Sequence, residues 1–380
     1  MEPARRFFRS PKSTPSRAGE PAGSETRFPT RRTVDNRKQS LYDRSVLIKP
    51  TGVLLIAAAL AAFAQEAPKK PSSKKTGAVS QWVPPRTAWG DSDLQGVWNN
   101  STITELERPR DLSGKQVLAD DEAATVERRA AQNRVDRQPP AGDPGTYNQF
   151  WFDRGTKVVP TKRTALIVDP QDGKLPPLTT AGQKRQEERF RGLGPTALGS
   201  SGNGPFDSYE DISLVTRCIT RGLPNAMFPG GYNNNYQIVQ VPGMVVLLSE
   251  MMHDVRVIPL DGRPHLSQNI RQWMGDSRGH WEGNTLLVDV TNFPDRDVTG
   301  FGVPYRHSET SHLHLIERFT RVNADKLDYE VTVGDPSTFT RKWTASIPMV
   351  KSQDRLYEYA CHEGNYSLTN MLRGSRAEDR

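Results

Sequence analysis

Long hydrophobic runs are nearly missing from this chain of 380 residues. The one sustained apolar stretch, residues 53–64, holds twelve uncharged side chains. At about 1.5 Å of rise per residue, such a helix falls well short of a ~30 Å hydrocarbon core. It therefore reads as the apolar segment of a secretory signal rather than as an anchor. Lys49 precedes it, and Ala62-Phe63-Ala64 gives the small-x-small pattern that a signal peptidase accepts. Cleavage is expected near Ala64-Gln65, leaving an exported protein, periplasmic or extracellular, without a transmembrane anchor. No cysteine stands immediately after the cleavage point, which argues against a lipoprotein anchor.

Net charge is also lacking where a nucleic-acid partner would need it. The formal charge of +7 resides in residues 1–50, which carry twelve Lys or Arg against five acids. Residues 65–380 sum to zero, so a basic groove has no support and no nucleic-acid partner is expected. Residues 1–45 form a basic extension rich in Arg, Ser and Pro, longer than a signal needs. Initiation near Leu41 or Val46 is the simpler reading, with residues 46–64 as the signal peptide. Residues 65–80, rich in Pro, Ser and Lys without periodicity, read as a solvated linker.

Several catalytic signatures are missing as well. There is no GxSxG elbow and no HExxH helix, so common serine hydrolase and zincin chemistry is unsupported. The glycines of residues 192–205 do not follow GxGxxG spacing and are interrupted by Pro195, which argues for a connecting loop rather than a phosphate cradle. No internal repeat is present. Only two cysteines exist, Cys218 and Cys361; in an oxidising compartment they are expected to form one disulfide. Histidine is absent from the first 252 residues, so any imidazole chemistry belongs to the second half.

What is present divides near residue 206. Residues 81–206 read as a loop-rich wrapping region with two peripheral helices, at 118–138 and 180–190. Asp120 or Asp121 is the expected cap of the first. Within this region, residues 164–169 read as a strand closed by the turn Pro170-Gln171-Asp172-Gly173. From residue 207 onward the pattern is antiparallel β. Strands are expected at 236–241 and 244–249 about Pro242-Gly243, at 255–260, and as a hairpin about Gly283-Asn284 within 280–290. They continue at 312–321, 327–333, 338–347 and 356–361. Leu313, Leu315 and Phe319 share one face, as do Leu327, Tyr329, Val331 and Val333. The fold class is therefore mainly β, a meander forming a barrel or a strongly curved sheet.

Four blocks carry a resemblance. DLQGVW (93–98), GDSRGHWEGNTLLVDVTNF (275–293), HLIERFTRVNADKLDYEVTVGDPSTFTRKWT (314–344) and YEYACHEGNY (357–366) are similar to signature blocks of a family of secreted bacterial proteins. That family has no established activity, so the resemblance implies export but no catalytic residues. The WEGNTL-type hairpin also resembles, at the level of fold, lipocalin-like (calycin) barrels.

Three side-chain groups are candidates for chemistry. His307, His312 and His314 are the tightest imidazole cluster. His312 and His314 would share a strand face, which is how a Zn, Cu or Fe site can begin. The alternative is that Leu313 and Leu315 pack inward and leave both histidines on a solvated face. The second group is acid–base: His280 and Glu282 share a face, with Glu309 as a further carboxylate, though a plain cross-strand polar pair is the alternative. The third group suits neutral polar ligands such as sugars: Tyr232, Asn234, Tyr236, His253, Arg271 and Trp273. Its alternative is a turn at residues 233–235 and a core role for the rings. Three readings follow: a binding protein for a small or carbohydrate-like ligand, a metal-dependent or acid–base hydrolase or lyase, and a structural envelope protein.

Overall fold

The alternation in residues 314–334 is the pattern that organises the sheet. β8 (His314–Asn323) and β9 (Lys326–Gly334) bury nearly every second side chain, and they pair antiparallel with Leu315 opposite Val333 and Phe319 opposite Tyr329. The computed structural model describes residues 82–136, 138, 149, 152–190, 208–294 and 311–378, all within one unit, Gly77–Arg380. The remaining strands are β1 (Gly96–Asn99), β2 (Ile167–Asp169), β3 (Asn235–Val241), β4 (Met244–Ser249), β5 (Val255–Pro259), β6 (Asp276–Glu282), β7 (Thr285–Thr291) and β10 (Trp343–Ser352). They form one antiparallel sheet in the order β5-β4-β3-β1-β10-β9-β8-β7-β6, with β2 pairing to β10 beside this path.

The sheet is strongly curved but not closed. β5 and β6, at opposite ends of that order, share no backbone ladder. They nonetheless pack side by side: a Cβ added at Gly279 of β6 would come within 2.8 Å of Ile258 and 2.6 Å of Leu260. Glycine is needed there because β5 approaches so closely. The concave face is filled by one cluster that includes Trp98, Tyr236, Ile258, Val288, Phe319, Tyr329 and Trp343, all at most 2% exposed. Phe319 and Tyr329 rings lie 4.9 Å apart, and the Trp98 indole N–H donates to Leu94 O at 2.8 Å. Within this apolar interior sits an ion pair, Arg256 on β5 with Glu317 on β8.

Both expected helices are found at the periphery. α1 (Asp120–Asn133) buries only Ala123, and its N-cap is Ala119 rather than Asp120 or Asp121. Glu122 supplies what a capping side chain would have done by accepting the Ala119 N–H at 2.8 Å. α2 (Thr180–Phe190) lies against the turn before β10, where Thr179 N–H donates to Thr338 O and Gly182 leaves no room for a Cβ.

Four features depart from expectation. β1, in the sequence a Pro- and Gly-flanked segment, is an interior strand held between β3 and β10. β10 begins at Trp343 instead of residue 338, because Asp335 Oδ1 accepts the N–H groups of Ser337 and Thr338 and keeps them in a turn. Residues 356–361 form no strand; Tyr357 turns its N–H to the Glu250 side chain instead of to a neighbouring ladder. A third helix, α3 (Ser367–Glu378), follows them. Cys218 and Cys361 are joined, as expected, and the bridge pins this irregular tail to the body.

Candidate functional site

At the sheet end where β1 finishes and β3 begins lies a cavity of about 1130 Å³. Its floor is a chain of side-chain hydrogen bonds set by strand register, since Asn99 on β1 is opposite Asn235 on β3. Asn99 Nδ2–H donates to Asn235 Oδ1 at 2.9 Å, and Asn235 Nδ2–H donates to Glu250 Oε2 at 2.9 Å. Glu250, only 4% exposed, accepts the Tyr357 N–H on its other oxygen at 3.0 Å. Buried Arg221 also lines the cavity. Desolvation holds its pKa below the ordinary guanidinium range, against the favourable charges of Tyr236, Tyr232, Tyr359 and Asp254.

One wall is the turn before β3. Asn233 has φ 54°, a left-handed conformation that Asn tolerates. Asn234 braces the turn from inside: its Oδ1 accepts the Gly230 N–H at 2.7 Å and its Nδ2–H donates to Asp153 O at 2.7 Å. Tyr232 then faces Phe152, with ring centroids 6.5 Å apart. The opposite wall is the tail. Tyr357, Glu358 and Tyr359 line the cavity on the way to Cys361, and Asn365 Nδ2–H donates to Thr216 O at 3.1 Å.

The expected ligand group is thus split. Tyr232 lines the cavity, together with its neighbours Asn233 and Asn235. Asn234 is a brace, and Tyr236 is core: its hydroxyl donates to Ala226 O and accepts from Asn100 Nδ2. His253 is exposed beside the tail, its ring 6.5 Å from that of His362. Met252 and His253 are consecutive left-handed residues at φ 63° and 45°, a strained corner next to the cavity. Arg271 and Trp273 belong elsewhere, in the loop before β6, where Arg271 donates to Phe293 O at 3.1 Å. Sequence reasoning passed over Asp153, Arg221, Glu250 and the tail tyrosines. Only the cysteine pairing hinted that residues 357–365 come near residue 218.

The described acid–base and metal candidates, His280, Glu282, His312 and His314, lie on or beside the convex face of β6, β7 and β8. His280 Nε2 is 3.5 Å from Glu282, as their shared face requires, but Arg318 also holds Glu282 at 2.9 Å and keeps its pKa low. This is an exposed cross-strand group. His312 is exposed and His314 half-buried, while Leu313 and Leu315 pack inward. His314 meets Asp289 at 2.9 Å, and Asp289 also meets His265 at 3.1 Å; His265 in turn meets Asp276 at 2.9 Å. Burial works against the Asp289 charge, yet the two imidazoles hold its pKa below the ordinary value. Register could have revealed the contact: Asp289 pairs with Ile316, and His314 is the diagonal neighbour. Among the described residues no group of three or more His, Cys, Asp or Glu is arranged to hold a metal ion. His307 and Glu309, like the glycine-rich 192–205 loop, lie outside the described residues.

Neither a family profile nor a curated protein matches the chain. Among solved structures, a secretary abundant heat soluble (SAHS) protein from Ramazzottius varieornatus is similar at 16% identity and a TM-score of 0.21. The match covers 42% of this chain and 98% of that one. The β architecture rests on the strand pairing described above.

Proposed function

We propose that this is an exported binding protein whose ligand, a small polar molecule of carbohydrate-like chemistry, sits in the cavity at the β1–β3 end. The observation that carries the reading is the cavity itself. Its walls combine ring faces (Tyr232, Tyr357, Tyr359) with amides that donate and accept (Asn99, Asn235), the mixture that suits hydroxyl-rich ligands. The concave face is no competitor, because side chains fill it. Export is supported by the disulfide, by the apolar segment at residues 53–64, and by the resemblance of the β6–β7, β8–β9 and tail blocks to a secreted family. Among the described residues no helix is long and apolar enough to cross a membrane.

The test is a thermal-shift screen of mono- and disaccharides and small polyols, repeated on Tyr232→Ala. A ligand at a hundred times its Kd adds about 2.7 kcal/mol, which raises the melting temperature by about 4 °C in a fold of roughly 300 residues. Tyr232→Ala should abolish that rise. A stabilising ligand indifferent to Tyr232→Ala would place binding elsewhere and refute the cavity reading.

A further inference from the structure

The chemistry of the cavity is lopsided in charge. Five carboxylates line it, from Asp153, Glu250, Asp354, Glu358 and Glu363, and among the described lining residues the only cationic side chain is Arg221. These acids come from four separate places in the chain: the segment between α1 and β2, the end of β4, the turn after β10, and the tail. Arg221 lies at 3% exposure, with Asp254 as one of its electrostatic partners. The three tyrosines add ring faces between the acids. Glu250 is buried in the floor and the other four acids are exposed around the rim. Carboxylates beside aromatic rings are the surroundings in which an ammonium group is held by both charge-assisted hydrogen bonds and ring quadrupoles.

We infer that the ligand of this cavity is cationic: a small polar molecule carrying a primary amine or a quaternary ammonium. The inference rests on the cavity reading above and narrows it from polar to positively charged. The space supports it: 1130 Å³ admits a ligand the size of an amino sugar or a short polyamine. So does the mutual effect of the acids. Asp153 sits exposed at the cavity rim; partial desolvation raises its pKa, and Glu250 and Asp354 push it further up, against the help of Asn99 and Arg134. A bound cation between these groups would relieve that repulsion, so the unliganded arrangement carries a cost that a neutral ligand leaves in place.

Glucosamine and N-acetylglucosamine separate the two claims, because they share a body and differ in charge. Choline and putrescine are cations without the sugar. Each would be titrated calorimetrically into the parent chain, into Asp153→Asn/Asp354→Asn and into Tyr232→Ala. The two rim acids are exposed and repel each other, so their replacement should not lower the melting temperature. At least one cationic probe is expected to bind about tenfold or more tighter than N-acetylglucosamine, and the double variant should erase most of that preference. Amine and N-acetyl sugar binding equally, both sensitive to Tyr232→Ala, would overturn the charge inference and leave the cavity reading standing. Binding by no probe, or binding insensitive to both variants, would overturn both.

Discussion

Replacing Glu317 by Gln is the sharpest perturbation of this fold. Glu317 is fully buried and Arg256 is 3% exposed, so neither charge has water to fall back on. Arg256 donates from Nη1 to Glu317 Oε1 at 3.0 Å and from Nη2 to the other oxygen, and Nη2 also reaches Ser277 Oγ at 3.1 Å. The Tyr329 hydroxyl donates to Glu317 Oε1 at 2.8 Å. Burial alone would push Arg256 toward its neutral form, but Glu317 more than offsets it and holds the guanidinium above its ordinary pKa. Burial and then the Glu317 charge push the Tyr329 phenol well up, so it remains a donor. Gln keeps the shape and removes the charge, leaving a lone buried cation. That should cost about 3–5 kcal/mol in urea unfolding, at least a hundredfold in the folded-to-unfolded ratio. Tyr329→Phe, which deletes one hydrogen bond to a charged acceptor, should cost about 1.5–3 kcal/mol. The combined Arg256→Met, Glu317→Leu variant avoids desolvation of both ions but leaves the Tyr329 hydroxyl without its acceptor, so it should recover most, not all, of the Glu317→Gln loss. A Glu317→Gln loss below about 1 kcal/mol, or a double variant as damaged as the single one, would refute this account of the interior.

Further outcomes follow from the cavity walls. Replacing both cysteines by serine opens a loop spanning 143 positions, worth about 5 kcal/mol on the chain-entropy model, and should expose residues 353–378 to protease first. A denaturing, non-reducing thiol assay of the parent should find no free thiol. Asp254 is raised to about 6, chiefly by burial, against hydrogen bonds from Thr220 and the Arg221 N–H. The folded chain thus holds that proton more tightly than the unfolded one, and stability should fall as pH climbs from about 4 through 6. Asp254→Asn should remove this dependence, a difference of up to about 3 kcal/mol between pH 4 and 7 by urea unfolding. Parallel slopes for the two proteins would contradict it.

The curved sheet was legible because period-2 alternation is a local signal. In β8 and β9 each apolar residue that the pattern assigned inward is buried, and the turns at Pro242-Gly243 and Gly283-Asn284 announced their hairpins through residues that accept positive φ. β1 was illegible for a reason that is also local. Its four residues begin with a glycine at φ 133°, and only pairing on both sides, with β3 and β10, makes them a strand. The tail failed in the opposite direction: residues 356–361 carry an apolar alternation, but Tyr357 is 73% exposed and its N–H serves Glu250, so tertiary hydrogen bonding overrides the pattern.

The site was harder to read than the fold because it is assembled from positions far apart in the chain. Conspicuous residues misled: His265, His280 and His314 each find an acid on the convex side of the sheet, and Tyr236 and Asn234 are spent on core and turn. The groups that enclose the cavity come from the end of β1, the turn before β3, the end of β4 and a tail tethered by a disulfide. None has a motif. The division has a physical basis. With the concave face packed by Trp98, Tyr329 and Trp343 about a buried ion pair, the proposed recognition site falls at the sheet end. There the side chains beyond the strand ends, a strained corner at Met252-His253 and an irregular tail leave polar groups that the sheet does not consume. The same bridge that anchors the tail forms part of the wall. Reducing Cys218–Cys361 should therefore weaken ligand binding before it unfolds the sheet, and unfolding that comes first would mean the tail is part of the core rather than a wall built onto it.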